Sequence, residues 1–196
     1  LDESLVVVTG DHGQLFGAGG QLGHQVSLHP HGIHVPLYVF PPASWETDVT
    51  VETPVSWVGL SRALEGVVEG AVTDTQTFVD ALVEGSLTDG RVVVAVDGPT
   101  WDVAELRERY TDEAVDSVCV RKVGLVDEET MTVYESGWSE DAIRERVYEL
   151  RDGARVLQGE SEDVTPEERY AEWLRGGGEG GVAAETSARL RQLGYL

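Results

Sequence analysis

The sequence predicts an α/β fold with a small antiparallel sheet toward its C-terminal end. Three observations carry this. A continuous β-branched run, Leu5-Val6-Val7-Val8-Thr9, lies near the start. Such runs suit a strand buried on both faces, as in a parallel α/β sheet. Capped helical patterns then alternate with further β-rich runs as far as residue 112. Beyond that, residues 117–125 and 131–134 flank the acidic turn Asp127-Glu128-Glu129 as an antiparallel hairpin. We divide the chain into an α/β part over residues 1–112 and a smaller part over 113–196, a β-hairpin plus helices.

The first strand stops at Gly10-Asp11-His12-Gly13, a loop at its carboxyl end. Residues 14–34 are rich in Gly and His, with little periodicity. A second apolar run spans 35–40. Pro36 sits near its start, where a missing N–H is tolerated, and Pro41-Pro42 ends it. Thr53-Pro54 reads as an N-cap followed by Pro at the first helical position. That helix would bury Val55, Val58, Leu60 and Leu64 and stop at Gly66. Asp74 caps a second helix with Phe78, Leu82 and Val83 inward, ending at Gly85. Residues 91–96 form another strand. Residues 102–110 form a helix with Val103, Leu106 and Tyr110 on one face.

After the hairpin, Ser139 opens a helix with Ile143, Val147 and Leu150 inward, closed by Gly153. Thr165-Pro166-Glu167-Glu168 matches a capping box, and Tyr170, Trp173 and Leu174 give that helix its apolar face. Residues 176–181 form a Gly-rich break. A last short helix carries Leu190 and Leu193.

Composition excludes several classes. Of 196 residues, 41% are hydrophobic and 26% charged, which argues against disordered or collagen-like chains. A net charge of −22 repels phosphate backbones and anionic lipid, so nucleic acid and membrane surfaces are not expected partners. No apolar run approaches the ~20 residues that cross a bilayer. No signal peptide is visible, which favours the cytoplasm. The single Cys119 excludes an internal disulfide and a Cys-based zinc cluster; we read it as a small buried hydrophobe. Thirteen of the 14 basic residues are Arg, and Lys122 is the one Lys. Dispersed acidity with so little Lys is the pattern of salt-loving archaea, whose molar salt shrinks the Debye length to about 3 Å. The chain opens on Leu1-Asp2-Glu3-Ser4 without Met and enters a strand at once. We read it as the C-terminal piece of a longer chain.

All five histidines lie between positions 12 and 34, and residues 1–61 hold no Lys or Arg. A metal ion would supply the cation this segment lacks. Asp11-His12 is the sharpest feature: a carboxylate and an imidazole, side by side on a Gly-flanked turn, where open α/β sheets bind ligands. A hard oxygen with a borderline nitrogen suits Mn²⁺ or Zn²⁺ better than Ca²⁺ if the nitrogen binds directly. His24 is a second candidate, as a ligand or as a donor to a bound oxyanion. His29 and His31 bracket Pro30, which places both outside a regular helix. His34 leads the second strand as a packing residue. Ser4, Thr9 and Ser27 lack a nucleophile elbow, and neither a phosphate loop nor a dinucleotide fingerprint is present.

Residues 5–13, then Gly23-His24, then His34-Val35-Pro36-Leu37-Tyr38-Val39-Phe40-Pro41-Pro42, together resemble the sulfatase family of the alkaline phosphatase superfamily. The ending, Leu193-Gly194-Tyr195-Leu196, is similar to the Leu-Gly-Tyr tail of sulfatases. The resemblance implies an α/β/α sandwich with a small antiparallel C-terminal sheet and terminal helices. Residues 1–112 would then be the C-terminal part of its catalytic domain. It implies hydrolysis of small sulfate esters, with Asp11 and His12 as metal ligands and His24 where a Lys often touches the sulfate. By family the metal would be Ca²⁺. His in place of Asn at position 12 and of Lys at 24 leaves Mn²⁺, Zn²⁺ and phosphate esters open. The family's formylglycine nucleophile is absent here and is expected only upstream, so this chain alone should be inactive. Two alternatives stand beside this: a phosphoesterase or phosphotransferase of the same superfamily, and a non-catalytic, metal-stabilised binding domain.

A halved sheet predicts an uncovered edge and face. Together with the charge, it predicts that the isolated chain lacks a cooperative unfolding transition in low salt. Thermal melts at low and molar KCl check this: a sharp low-salt transition counts against both the truncation and the halophile readings.

Overall fold

The computed structural model describes residues 2–20, 23–24, 26–45, 49–99, 102–138, 142–151 and 154–175. It is a mixed α/β structure with two antiparallel sheets. Strand β1 (Val6–Thr9) pairs with β2 (Leu37–Phe40), Val6 opposite Phe40 and Thr9 opposite Leu37. Between them lie a 3-10 turn at Ala18–Gly20 and one α-helical turn, α1 (Pro30–Ile33). Helices α2 (Trp57–Glu69) and α3 (Thr75–Ser86) follow. Strand β3 (Val92–Asp97) opens the larger sheet, and the short helices α4 (Val103–Arg109) and α5 (Asp112–Asp116) lead to β4 (Val120–Val126). Then come β5 (Thr130–Gly137), β6 (Arg144–Arg151), β7 (Ala154–Ser161) and α6 (Glu168–Leu174). The five strands β3 to β7 run in sequence order, each antiparallel to the next.

The small sheet departs from the expected parallel, doubly buried strand. Its β1 pairs antiparallel and is covered on one side only. Leu5, Val7, Leu37 and Val39 pack against the α2–α3 core of Leu60, Ala63, Phe78 and Leu82. On the other side Val8, Tyr38 and Phe40 are 51%, 59% and 55% exposed. The β-branched run marks a strand with two apolar faces, and the described residues cover one.

Helix α2 starts later than Thr53-Pro54 predicts. Its N-cap is Ser56, whose Oγ accepts from the Gly59 N–H, while the Ser56 N–H donates to Ser86 Oγ at 2.8 Å. This couples the start of α2 to the end of α3. The helix runs past Gly66 to a left-handed Gly70 (φ 75°), leaving Val58 exposed rather than buried. Helix α3 forms as expected, with a reciprocal capping box between Asp74 and Thr77. It ends one residue beyond Gly85. Helix α4 half-buries Val103 and Leu106 of the expected apolar face and fully buries none, while Tyr110 is exposed.

The hairpin β4–β5 turns at residues 127–129 as predicted, with Asp127 accepting from the Glu129 and Thr130 N–H groups. The helix expected after Ser139 is instead strand β6. Val147 and Leu150 therefore lie on opposite faces, and Leu150 joins the Leu28–Met131–Val133 core. Tyr148-Glu149-Leu150-Arg151 alternates apolar and charged, and Asp152-Gly153, outside the described residues, is a two-residue hairpin signal that helical spacing obscured. Strand β7 was not anticipated. The capping box at Thr165 does not form: α6 begins at Glu168 with no side-chain cap bond. Its apolar face is as expected, with Tyr170 and Leu174 buried against Val123, Leu125 and Ile143, and Trp173 beside them. The expected Gly-rich break and final helix lie outside the described residues. Cys119 is buried, and burial pushes its thiol up.

The larger sheet is thus covered by α6 on one face and by the 26–33 segment on the other. Helices α2 and α3 cross closely at Gly59, where an added Cβ would lie 2.0 Å from Ser86 Oγ and 2.3 Å from the Leu82 carbonyl oxygen. Gly59→Ala is expected to destabilise the chain by about 1–3 kcal/mol through overpacking, and Leu174→Ala by about 2–5 kcal/mol through a cavity. Urea denaturation in stabilising salt measures both.

Candidate functional site

The polar loop after β1 is held by apolar and backbone contacts. Leu15 and Leu28 are buried, and Leu28 reaches the Met131–Val133 core under the large sheet. The Gly13 N–H donates to the Gly32 carbonyl at 2.8 Å, and the Leu15 N–H to that of Gly23 at 2.8 Å. These bonds tie the segment carrying Asp11 and His12 to the one carrying His24 and α1. Gly13 is required by this approach, since a Cβ there would lie 1.9 Å from the His31 carbonyl oxygen. Gly10 is not: its Cβ would meet only ordinary contacts. The loop also holds Phe16 (φ 48°) and Val26 (φ 52°) in the left-handed region. For a β-branched Val this is a genuine outlier, and each such residue costs about 1–3 kcal/mol.

Asp11 and His12 turn toward each other. The His12 N–H donates to Asp11 Oδ1 at 3.0 Å, and His12 Nε2 lies 3.7 Å from Asp11 Oδ2. His12 Nδ1 lies 2.9 Å from the Gly13 carbonyl oxygen. A carbonyl oxygen only accepts, so Nδ1 carries the proton and, in the neutral ring, Nε2 carries the lone pair. A lone pair and a carboxylate oxygen thus face each other with no hydrogen between them. Two metal–ligand bonds of about 2.1 Å span a gap of this size. A backbone carbonyl fixing the far nitrogen is also how metal-binding imidazoles are commonly oriented. The donor pair fits a divalent ion. The site is open, however, with the Asp11 side chain 90% and that of His12 47% exposed. Among the described residues no three His, Cys, Asp or Glu side chains converge to hold an ion.

His24 stacks on His12, with ring centroids 3.8 Å apart and planes 19° from parallel. Its Nδ1 lies 3.1 Å from Gln14 Oε1, which likewise places the proton on Nδ1. Ring lone pairs lie in the ring plane, so two nearly parallel rings do not aim at one ion. This geometry suits His24 as a neighbour of any ion placed between Asp11 and His12 better than as a ligand of it. Sequence reasoning missed Gln14, the group that orients His24. Its signal was an amide placed three residues after Asp11 in a loop lacking charge.

The other histidines divide differently from expectation. His31 sits inside the single turn of α1, and His29 is its buried N-cap, accepting from the His31 N–H at 3.1 Å. Burial, then Arg155, then His31 hold the His29 imidazole below its ordinary pKa. His34 is exposed rather than packed, and its N–H closes α1 on the Pro30 carbonyl.

Compared with protein-family models, curated proteins and solved structures, the chain matches none. The functional reading therefore rests on the residues themselves.

His12 and His24 are expected to be Nδ1–H tautomers when neutral. Long-range ¹H–¹⁵N correlation of the imidazole nitrogens checks this; an Nε2–H tautomer at His12 would remove the lone pair from the Asp11 side. His29 is expected in the opposite tautomer, since its Nδ1 accepts a bond.

Proposed function

We propose that this chain carries part of the metal site of a metal-dependent hydrolase of sulfate esters, with Asp11 and His12 as ligands of a divalent cation. The observation that supports this is the 3.7 Å approach of His12 Nε2 to Asp11 Oδ2 with His12 Nδ1 tied to the Gly13 carbonyl. Two ligands do not complete a site, so the remaining ligands and the nucleophile, a formylglycine by resemblance, would come from residues beyond those described. The larger architecture we propose is an α/β/α sandwich. The further layer this reading calls for would lie over the side of β1 and β2 that the described residues leave bare, where Val8, Tyr38 and Phe40 are exposed.

The bound metal would polarise the ester oxygens and stabilise charge developing on them. The chain's own residues do the rest. Asp11 contributes a hard oxygen and negative charge. The Gly13 carbonyl keeps the His12 ring turned so that Nε2 faces the ion. Gln14 holds His24 by Nδ1, leaving Nε2 free. When protonated there as well, His24 donates Nε2–H to a sulfate oxygen or passes that proton to the leaving oxygen. A phosphate ester presents oxygens in the same tetrahedral arrangement, so a phosphoesterase is the second reading.

In the protein expressed from its complete reading frame, Asp11→Asn is expected to lower divalent-metal affinity at least tenfold. His24→Ala is expected to leave that affinity intact and lower kcat on an aryl sulfate by about 10²-fold or more. Calorimetric titration with Mn²⁺, Zn²⁺ and Ca²⁺, with turnover of aryl sulfate and aryl phosphate side by side, measures both. Metal affinity that ignores Asp11 and His12 defeats the proposal. Metal-dependent stability with no turnover of either ester would favour a non-catalytic binding domain.

A further inference from the structure

One arginine stands out among the half-buried ones. Arg91, Arg121, Arg144, Arg146 and Arg169 each have a carboxylate oxygen within 3.9 Å. Arg155 has none among the described residues, in a chain with 36 acidic side chains to choose from. Its guanidinium lies over the Tyr148 ring, 4.6 Å from the centroid. The strand register explains the contact: Arg155 faces Leu150 across β6–β7, diagonal to Tyr148 on the same sheet face. Stacking uses the flat face of the guanidinium. Its edge, with five N–H donors in a fixed fork, makes no hydrogen bond among the described residues.

The surroundings are basic for so acidic a protein. Farther along the same face, Glu135 is enclosed by Lys122 at 2.8 Å and by Arg144 and Arg146 at 3.7 Å. Burial would push the Glu135 carboxyl up, but these three cations together hold it below its ordinary value. Glu160 takes a second bond from Arg146 at 2.8 Å. Both carboxylates make their close ion pairs with the other cations, and Glu135 reaches Arg155 only at longer range. Arg155 is also within electrostatic reach of His29, whose Nδ1 is occupied and whose proton, in the neutral ring, is on Nε2. Burial and the Arg146 charge lower the Arg155 pKa, with Tyr148 and the Glu135 carboxylate acting the other way, and among the described residues no carboxylate oxygen forms an ion pair with the guanidinium.

We propose that Arg155 is an anion-binding residue that takes a compact oxyanion, a phosphate, sulfate or carboxylate group, on the open edge of its guanidinium. Two parallel N–H bonds to such a group are the strong, directional interaction this side chain makes, and Tyr148 fixes the plane in which they point. The site lies on the large sheet, on side chains that the proposed metal site does not use, and the inference does not depend on that reading.

Inorganic phosphate is the probe, titrated into the protein at constant ionic strength set with KCl, with the Arg Nε–H and His29 ring resonances followed by NMR. Saturable shifts are expected at Arg155 and His29 and not at the exposed Arg109. Arg155→Gln should weaken binding by about tenfold or more, while Arg109→Gln leaves it unchanged. Acetate in place of phosphate distinguishes a planar carboxylate from a tetrahedral oxyanion as the preferred occupant; saturable binding of either at Arg155 supports the site. Shifts that grow without saturating for both anions, or equal affinity in wild type and Arg155→Gln, overturn it. Should Arg155→Gln fail to fold, Arg155→Lys decides, because it keeps the charge and removes the paired edge. Unchanged affinity in that variant overturns the site.

Discussion

The loop between β1 and β2 depends on the bond from the Gly13 N–H to the Gly32 carbonyl, made possible by a glycine with no room for a side chain. That bond joins two stretches with different loyalties. One follows β1 and carries Asp11 and His12. The other is anchored through Leu28 to the large sheet and carries α1. Leu15, buried beside Gly32, reinforces the join. A loop this polar gains little from burial, so two leucines and a few backbone bonds supply its shape. The left-handed Phe16 and Val26 show that the join is made against local preference.

Much of this was legible in the sequence, for identifiable reasons. Strands β1 and β2, helix α3 and the β4–β5 hairpin announce themselves through β-branched runs, an Asp74 cap and an acidic turn. The prominence of Asp11, His12 and His24 was legible too, from a turn after a strand and from the crowding of imidazoles before residue 35. Strands β6 and β7 were not, because Ile143, Val147 and Leu150 match helical spacing as well as they match a strand with two covered faces. Only pairing with β5 decides between them. The stacking of His24 on His12 and its tether to Gln14 depend on how the loop folds back, which no local pattern encodes. Arg155 is the extreme case: its contact with Tyr148 follows from the β6–β7 register, and that register shifts between Val147 and Tyr148.

Charge is distributed with a purpose that composition alone hides. A net charge of −22 suggests uniform acidity. Yet the first 61 residues hold no fixed positive charge, while β4, β6 and β7 concentrate cations on one sheet face. Most of those cations are engaged with Glu135 and Glu160, and the pairs of the largely buried Glu135 are sheltered enough to count for more than exposed ones. The long-range field of the protein opposes anion approach, and high salt weakens that field over distances beyond about a Debye length. A short-range contact at a guanidinium edge survives such screening better than long-range steering does. Selective anion contacts are therefore compatible with an acidic surface in strong electrolyte.

The bare side of β1–β2 and the openness of the Asp11–His12 pair have a common physical consequence. In bulk water two unit charges 4 Å apart interact by only about 1 kcal/mol, and at an effective dielectric near 20 by about 4 kcal/mol. Asp11, almost fully exposed, sits at the weak end of that range. An ion held there by two donors, as proposed above, would compete with water for every bond. A layer laid over Val8, Tyr38 and Phe40 would remove apolar surface from water beside the end of β1. By lowering the dielectric next to Asp11, it would also strengthen each bond the carboxylate makes. On the reading proposed above, one covering event would bury the bare apolar side and raise the affinity for a metal ion at Asp11 and His12, linking folding to loading.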